Sequence, residues 1–282
     1  MSNQLTSISP TRLRAYETCP LQYKMRYIQK VPRVDSPSSL VGQAVHRALE
    51  VNFVQKRRVG HDLDLKEVVN VFEDVWDSRL PVGASESSLA DEFSGAYSSG
   101  LEILRLYFQD VAPRIKPHLI EHRFRFDIPG VPVRVVGTVD LIDQDGVVID
   151  HKTSFARYSE SYPETDLQLR CYAIGYAMFR AGSRVRPGQL PAPFFIPEVR
   201  VDVLVRSQPP VIQQLRADYD RSDIDDFTDR AVSIIAGIEG EAYEAFWRLP
   251  GREPDSSVCK RCPYRDRCPE SLQGASSLKD SS

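Results

Sequence analysis

Gly137-Thr138-Val139-Asp140-Leu141-Ile142-Asp143-Gln144-Asp145-Gly146-Val147-Val148-Ile149-Asp150-His151-Lys152-Thr153-Ser154 is the stretch on which the fold turns. Two runs rich in β-branched residues, 131–142 and 147–153, flank Asp143-Gln144-Asp145-Gly146, so the segment reads as a hairpin buried on both faces. Take the loop as Gln144-Asp145-Gly146, with Gly146 in the left-handed position of a type I turn plus bulge. Asp143 then opposes Val147, and Asp140 opposes Asp150. Directly opposed residues share a face, their Cβ atoms roughly 4.5–5.5 Å apart. Lys152 joins that face, and Val139, Leu141, Val147 and Ile149 make the opposite one apolar. A two-residue Asp-Gly turn would pair Asp140 with His151 instead.

Two carboxylates held together in an apolar sheet repel each other unless something neutralises them. A hard divalent cation does so, and oxygen ligands suit Mg²⁺ or Mn²⁺. A lysine beside it can position an attacking water or stabilise charge on a phosphate. The plainer reading of D-x-K is a salt-bridged hairpin, Lys152 pairing with Asp150 or Asp140. Charge is costly in buried strands without a partner, which favours the metal.

Outward from the hairpin, the pattern is helical upstream. Ser9 can cap a helix that Pro10 begins, and Pro20 breaks the run just after Cys19. Residues 40–57 carry Val41, Val45, Leu49 and Phe53 on one face with His46 beside them, and helices follow around 65–79 and 88–109. Residues 118–128 alternate as a strand, in which Glu121 reads as part of a surface salt bridge among His122, Arg123 and Arg125. A helix over 164–180, a strand over Val199–Val205 and a helix opening at Ser222 complete a mixed α/β arrangement. The chain has 282 residues, 41% hydrophobic and 27% charged, with a net charge of −3: a globular composition that names no partner. There is no run of 18 apolar residues and no signal-peptide pattern at the N-terminus, so a cytoplasmic location and no membrane partner are expected.

Cys259-x2-Cys262-x5-Cys268 forms a tight group near the C-terminus, and Cys19 lies far upstream; each of Cys19, Cys262 and Cys268 precedes a proline. Three local thiolates leave one coordination site, for which Cys19 is the natural candidate. Four cysteine ligands suit a [4Fe–4S] cluster or a structural Zn²⁺, and spacing alone does not choose. Cys171, on the core face of its helix, reads as a buried small residue.

These motifs, in this order, resemble the PD-(D/E)xK nucleases of the RecB type. The resemblance is to their iron–sulfur branch, which includes the nuclease domain of AddB and the Cas nuclease of CRISPR adaptation. Gly42-Gln43-Ala44-Val45-His46 is similar to the first motif, Gly137-Thr138-Val139-Asp140 to the second, Asp150-His151-Lys152 to the D/E-x-K motif and Gln168-Leu169-Arg170-Cys171-Tyr172 to Q-x-x-x-Y. The resemblance implies a restriction-endonuclease-like α/β fold: a mixed sheet flanked by helices, with a helical insertion and a cysteine-bound cluster joining the two ends. It implies His46, Asp140, Asp150 and the His151 carbonyl as metal ligands, Lys152 as the catalytic lysine, and Gln168 and Tyr172 beside the site. It also implies [4Fe–4S] on Cys19, Cys259, Cys262 and Cys268. One nuclease domain over 1–282 is expected, with cluster-binding segments 5–35 and 255–270, a helical insertion 60–115, a catalytic core 118–210 and a disordered tail 271–282.

Joining the ends would merge Arg12, Arg14, Lys24 and Arg26 with Lys260 and Arg261 into a basic patch interleaved with Tyr16, Tyr23, Tyr27 and Tyr264, suited to single-stranded nucleic acid. The expected function is a metal-dependent DNA nuclease, an exonuclease on single strands or frayed ends in recombination, repair or processing. No P-loop motif is present, so unwinding would come from a helicase partner. The alternatives are a CRISPR-adaptation component working with integrase proteins, and a non-catalytic DNA-binding module with a structural zinc.

Overall fold

The computed structural model describes residues 5–33, 35–81, 90–182, 195–245 and 256–270; the expected disordered tail lies outside them. Its contacts divide the chain into two units, 35–126 with 137–224, and 1–34 with 127–136 and 225–282.

The larger unit is built on a mixed sheet. Strand β2 (Pro117–Asp127) pairs with β3 (Arg134–Asp143), which runs antiparallel to β4 (Val148–Ser154). Strand β4 is parallel to β5 (Val199–Val205), and β5 is antiparallel to β6 (Val211–Ala217). The alternating sequence anticipates β5 residue for residue. It does not anticipate β6, which lies just past the expected core boundary at 210, because Gln213, Gln214 and Arg216 mask its alternation.

One face of this sheet is covered by α3 (Pro37–Val59) and α5 (Ala90–Asp110), against which α4 (Leu65–Arg79) packs in turn. Helix α3 begins where Ser36 accepts the Ser39 N–H and ends at Gly60, whose φ of +88° is open to glycine. Its stripe Val41, Val45, Leu49 and Phe53 packs with Phe72, Leu104, Leu141, Ile149 and Leu204 in one core. The segment read as an insertion thus supplies a layer over the sheet. On the other side, after the short α6 (Tyr162–Thr165), α7 (Leu167–Ala181) lies so close to β2 that a Cβ at Gly175 would stand 2.5 Å from the Phe124 ring. Asp166 opens α7 by accepting the N–H groups of Gln168 and Leu169 at 2.8 and 3.1 Å.

In the smaller unit, β1 (Ser7–Ile8) pairs parallel with Arg134–Val135, and Ser9 caps α1 (Pro10–Thr18) ahead of Pro10. Cys19 ends α1 and stands before α2 (Pro20–Tyr23), at the helix end the sequence predicts. The Tyr16 hydroxyl donates to the Ala242 carbonyl at 2.6 Å, and Leu21 N–H donates to Glu244 O at 3.1 Å, tying the first helices to the chain after α8 (Arg221–Glu239). Among the described residues no helix is long and apolar enough to cross a membrane.

Candidate active site

The hairpin takes the three-residue form. Leu141 pairs with Ile149 and Ile142 with Val148, the register that sets Asp140 against Asp150. Asp143 N–H donates to Val147 O at 3.1 Å, Gly146 N–H to Asp143 O at 3.1 Å, and Gly146 adopts φ +86°. The Asp143 carboxylate holds the turn by accepting the N–H groups of Asp145 and Val147 at 3.0 and 2.9 Å.

Asp150 is 1% exposed. Its Oδ1 accepts from Lys152 Nζ at 2.9 Å, whereas Oδ2 is buried without a hydrogen-bond partner among the described residues. The salt bridge of the plainer reading therefore exists, and it satisfies one of the two oxygens. Lys152 Nζ also donates to Gln168 Oε1 at 3.1 Å, and Gln168 Nε2 donates to the Tyr172 hydroxyl at 2.7 Å. Gln168 and Tyr172, one turn apart on α7, thus bracket the lysine as one hydrogen-bonded unit.

Asp140 Oδ2 is the point on which the rest converge. It accepts the His151 N–H at 3.0 Å, with His46 Nδ1 at 3.4 Å and His151 Nδ1 at 3.8 Å. Burial alone would raise Asp140, but His46, His151, Lys152 and the His151 N–H outweigh it and hold it below the ordinary carboxylate range. Asp150 goes the other way: burial, with Asp140 adding, pushes it up to about 6 against the pull of Lys152. One carboxyl stays charged and its neighbour is driven toward the neutral form, as expected when two acids share a site.

The His151 ring belongs to a network that sequence reading did not find. Tyr107 Oη donates to Asp202 Oδ2 at 2.7 Å and lies 2.9 Å from His151 Nε2. Asp202 is fully buried and also accepts from Arg200 at 2.9 and 3.0 Å and from Gln214 at 2.9 Å. With the tyrosine proton given to Asp202, His151 must be the donor at Nε2, which makes it the neutral Nε2–H tautomer. Burial pushes its pKa down to about 4. The available signal was Asp202 itself, a carboxylate in the middle of a β-branched run.

Glu121 is exposed on its strand, as the surface reading has it, but the salt bridge of that reading needs correction. It forms no ion pair among the described residues, takes φ +46°, and its carboxyl is pushed up to about 7 by partial desolvation, with Asp140 and Glu50 adding. Its carboxyl belongs to the electrostatic surroundings of Asp140. As they stand, no three described His, Cys, Asp or Glu side chains are placed to hold a metal ion. The donor chemistry nevertheless fits a hard cation: opposed carboxylates, Asp150 buried and Asp140 half-buried, with Asp150 Oδ2 lacking a partner among the described residues, and an imidazole beside them.

In the smaller unit, Cys19, Cys259, Cys262 and Cys268 line one cavity of about 160 Å³ together with Met25 and Arg261. None of the four is in a disulfide. Burial raises the Cys262 thiol, and the other three add to it. Cys171 sits apart, fully buried in α7 as expected. Lys260 and Arg261 are exposed, whereas Arg12, Arg14 and Arg26 are half-buried. The aromatic interleaving needs correction. Tyr16, Tyr23 and Tyr264 are buried, and Arg12 and Arg26 lie over tyrosine rings at 5.0–5.5 Å, so these rings are packed rather than presented for base stacking.

The sequence profile of the PD-(D/E)XK nuclease superfamily matches residues 7–269. Gene 69 protein of Mycobacterium phage D29 is 28% identical over 197 residues, covering 60% of this chain and 68% of its own. The crystal structure of a candidate exonuclease from Eubacterium rectale aligns over 85% of this chain and 83% of its own, with a TM-score of 0.52 at 10% identity, a likeness of fold. A match that runs through nearly the whole chain, hairpin and cysteines included, makes the protein a member of the PD-(D/E)XK nuclease superfamily.

Proposed function

We propose that the protein is a RecB-type, divalent-metal-dependent DNA exonuclease acting on single strands or frayed ends. The observation that carries this is the opposed Asp140–Asp150 pair, with Asp150 Oδ2 unpartnered and Lys152 braced beside it by Gln168. His46, Asp140, Asp150 and the His151 carbonyl would hold Mg²⁺ or Mn²⁺, which superfamily members generally use. When bound, the cation neutralises the phosphate and acidifies water. Lys152 presents its ammonium to the phosphate and stabilises the charge that develops as water adds to phosphorus and the ester oxygen leaves. Gln168, oriented by Tyr172, keeps that ammonium aimed. The neutral His151 ring, anchored through Tyr107 to Asp202, holds its own backbone in place against Asp140.

The four thiols around one cavity support a [4Fe–4S] cluster that ties the ends of one nuclease domain together. With no motor motif in the sequence, the enzyme would meet DNA already open or opened by a helicase partner. The test of the exonuclease reading compares linear single-stranded DNA with a closed circle of the same sequence, in Mg²⁺ and in Mn²⁺. Degradation of the linear strand alone is expected. Cutting of both substrates would make it an endonuclease, and cutting of neither would refute the assignment.

A further inference from the structure

Among the described residues, three arginines of the larger unit are buried. Arg200 is paired with Asp202, and Arg170 with Asp223 at 3.1 Å. Arg206 differs. It is 5% exposed and has no carboxylate partner among the described residues. Its Nη2 donates to Ser38 Oγ at 3.0 Å, its Nη1 to Ser99 Oγ at 3.4 Å, and its Nε is buried with no acceptor among the described residues. Burial is what lowers its pKa, with no carboxylate acting against it. A desolvated cation without a counter-charge is expensive to maintain, unless a ligand brings the anion.

The surroundings say which kind of anion. Arg206 follows β5 directly, and its N–H donates to the carbonyl of Ser154, the last residue of β4, at 2.7 Å. It therefore lies at the carboxyl ends of two parallel strands, the edge of an α/β sheet where ligands bind. Ser38 stands in the first turn of the 23-residue helix α3, where the helix dipole favours negative charge. The Phe155 ring lies 4.0 Å over the guanidinium and is 62% exposed, in a bend outside the sheet. An exposed aromatic face beside an uncompensated cation is a pairing that a nucleotide answers, base to ring and phosphate to guanidinium. Phe155 is three residues beyond Lys152, at most about 11 Å of extended chain.

On this basis we infer that Phe155 and Arg206 form a nucleotide-binding subsite for the single strand that flanks the scissile phosphate. The base stacks on the outer face of Phe155. As the ring yields, the adjoining phosphodiester takes the place of the missing counter-charge on Arg206. The inference rests on the nuclease reading and gives it a substrate class: a strand with unstacked bases, which a duplex cannot offer to Phe155.

The test uses the full chain carrying Lys152→Ala, in chelator, and follows a fluorescein-labelled single-stranded oligonucleotide by anisotropy over a salt series. Phe155→Ala is expected to weaken binding about five-fold or more, by an amount that vanishes when the oligonucleotide is abasic. Arg206→Gln is expected to lower the slope of log affinity against log salt by about 0.7, the share of one phosphate on a single strand, and Arg206→Lys to retain it. Should Arg206→Gln fail to fold, the exposed Phe155 and the abasic strand decide the matter alone. Equal binding by the Phe155→Ala variant and its parent overturns the subsite while wild-type cleavage leaves the nuclease reading intact. If the parent binds no strand and the wild type cleaves none, the nuclease reading fails and the subsite falls with it.

Discussion

Tyr107→Phe removes a single oxygen from the interior and tests the network behind the hairpin. The hydroxyl bridges Asp202 and His151, both buried, while the ring packs edge-on against His151 with centroids 5.4 Å apart and would be retained by phenylalanine. A hydrogen bond to a charged carboxylate contributes about 1.5–3 kcal/mol, and a buried group stripped of its partner costs about 1–3 kcal/mol. Asp202 keeps Arg200 and Gln214 as donors, so the larger penalty falls on His151 Nε2. The expected loss is about 2–4 kcal/mol, on the order of 10 °C in Tm. Urea unfolding followed by circular dichroism should show a lower midpoint with an unchanged m-value. Tyr97→Phe is the control: its hydroxyl also donates to a carboxylate, Glu73 at 2.7 Å, but from a half-buried position where water can take its place, so its loss should cost less than that of Tyr107. Equal, small effects at the two tyrosines would refute the claim that Tyr107 anchors the catalytic strand.

Gly175→Ala drives a methyl to 2.5 Å from the Phe124 ring and should cost about 1–3 kcal/mol; because α7 carries Gln168 and Tyr172, cleavage should fall with it, and a stable, fully active variant would contradict the packing. The pH dependence of stability carries two opposed signs. His151, held at about 4 against an ordinary 6.5, contributes stability that is full above 6.5 and lost as pH falls toward 4. Asp150, at about 6 against 3.8, contributes stability that is full below 3.8 and lost as pH rises through 6. Between pH 4 and 6 the two slopes offset each other, so His151→Phe should make stability fall more steeply with rising pH than in the wild type; parallel profiles would show that His151 is not buried neutral. Cys262→Ser should remove the iron and the broad blue-region absorbance of anaerobically purified protein and lower its melting temperature, and unchanged iron content would exclude the proposed cluster.

The hairpin was legible because a turn fixes register locally. Once Gly146 takes the left-handed position, Asp140 and Asp150 have nowhere else to go. Capped helices were legible for the same reason, as Ser9 with Pro10 and Ser36 with Gly60 show. What escaped was non-local. Tyr107 and Asp202 are 95 residues apart, and nothing in the chain near either one announces the other. Glu121 looked like a neighbour of Arg123 and Arg125, yet what raises its pKa is desolvation together with Asp140 and Glu50. The tyrosines of the N-terminal segment read as a stacking surface because they alternate with basic residues. Their hydroxyls find partners instead, Tyr16 with Ala242 and Tyr23 with Arg12, which is what lets them be buried.

Lys152 reaches both the unsatisfied acid and the glutamine of α7, so the most direct measurement of the central claim is made there. End-labelled single-stranded DNA is incubated with wild-type protein and with Lys152→Ala, in Mn²⁺ and in Mg²⁺, at equal folded concentration verified by circular dichroism. The account predicts a metal-dependent ladder from the wild type and an intact strand from the variant. A ladder of equal rate from Lys152→Ala would contradict it, because cleavage would then come from somewhere other than the carboxylate hairpin.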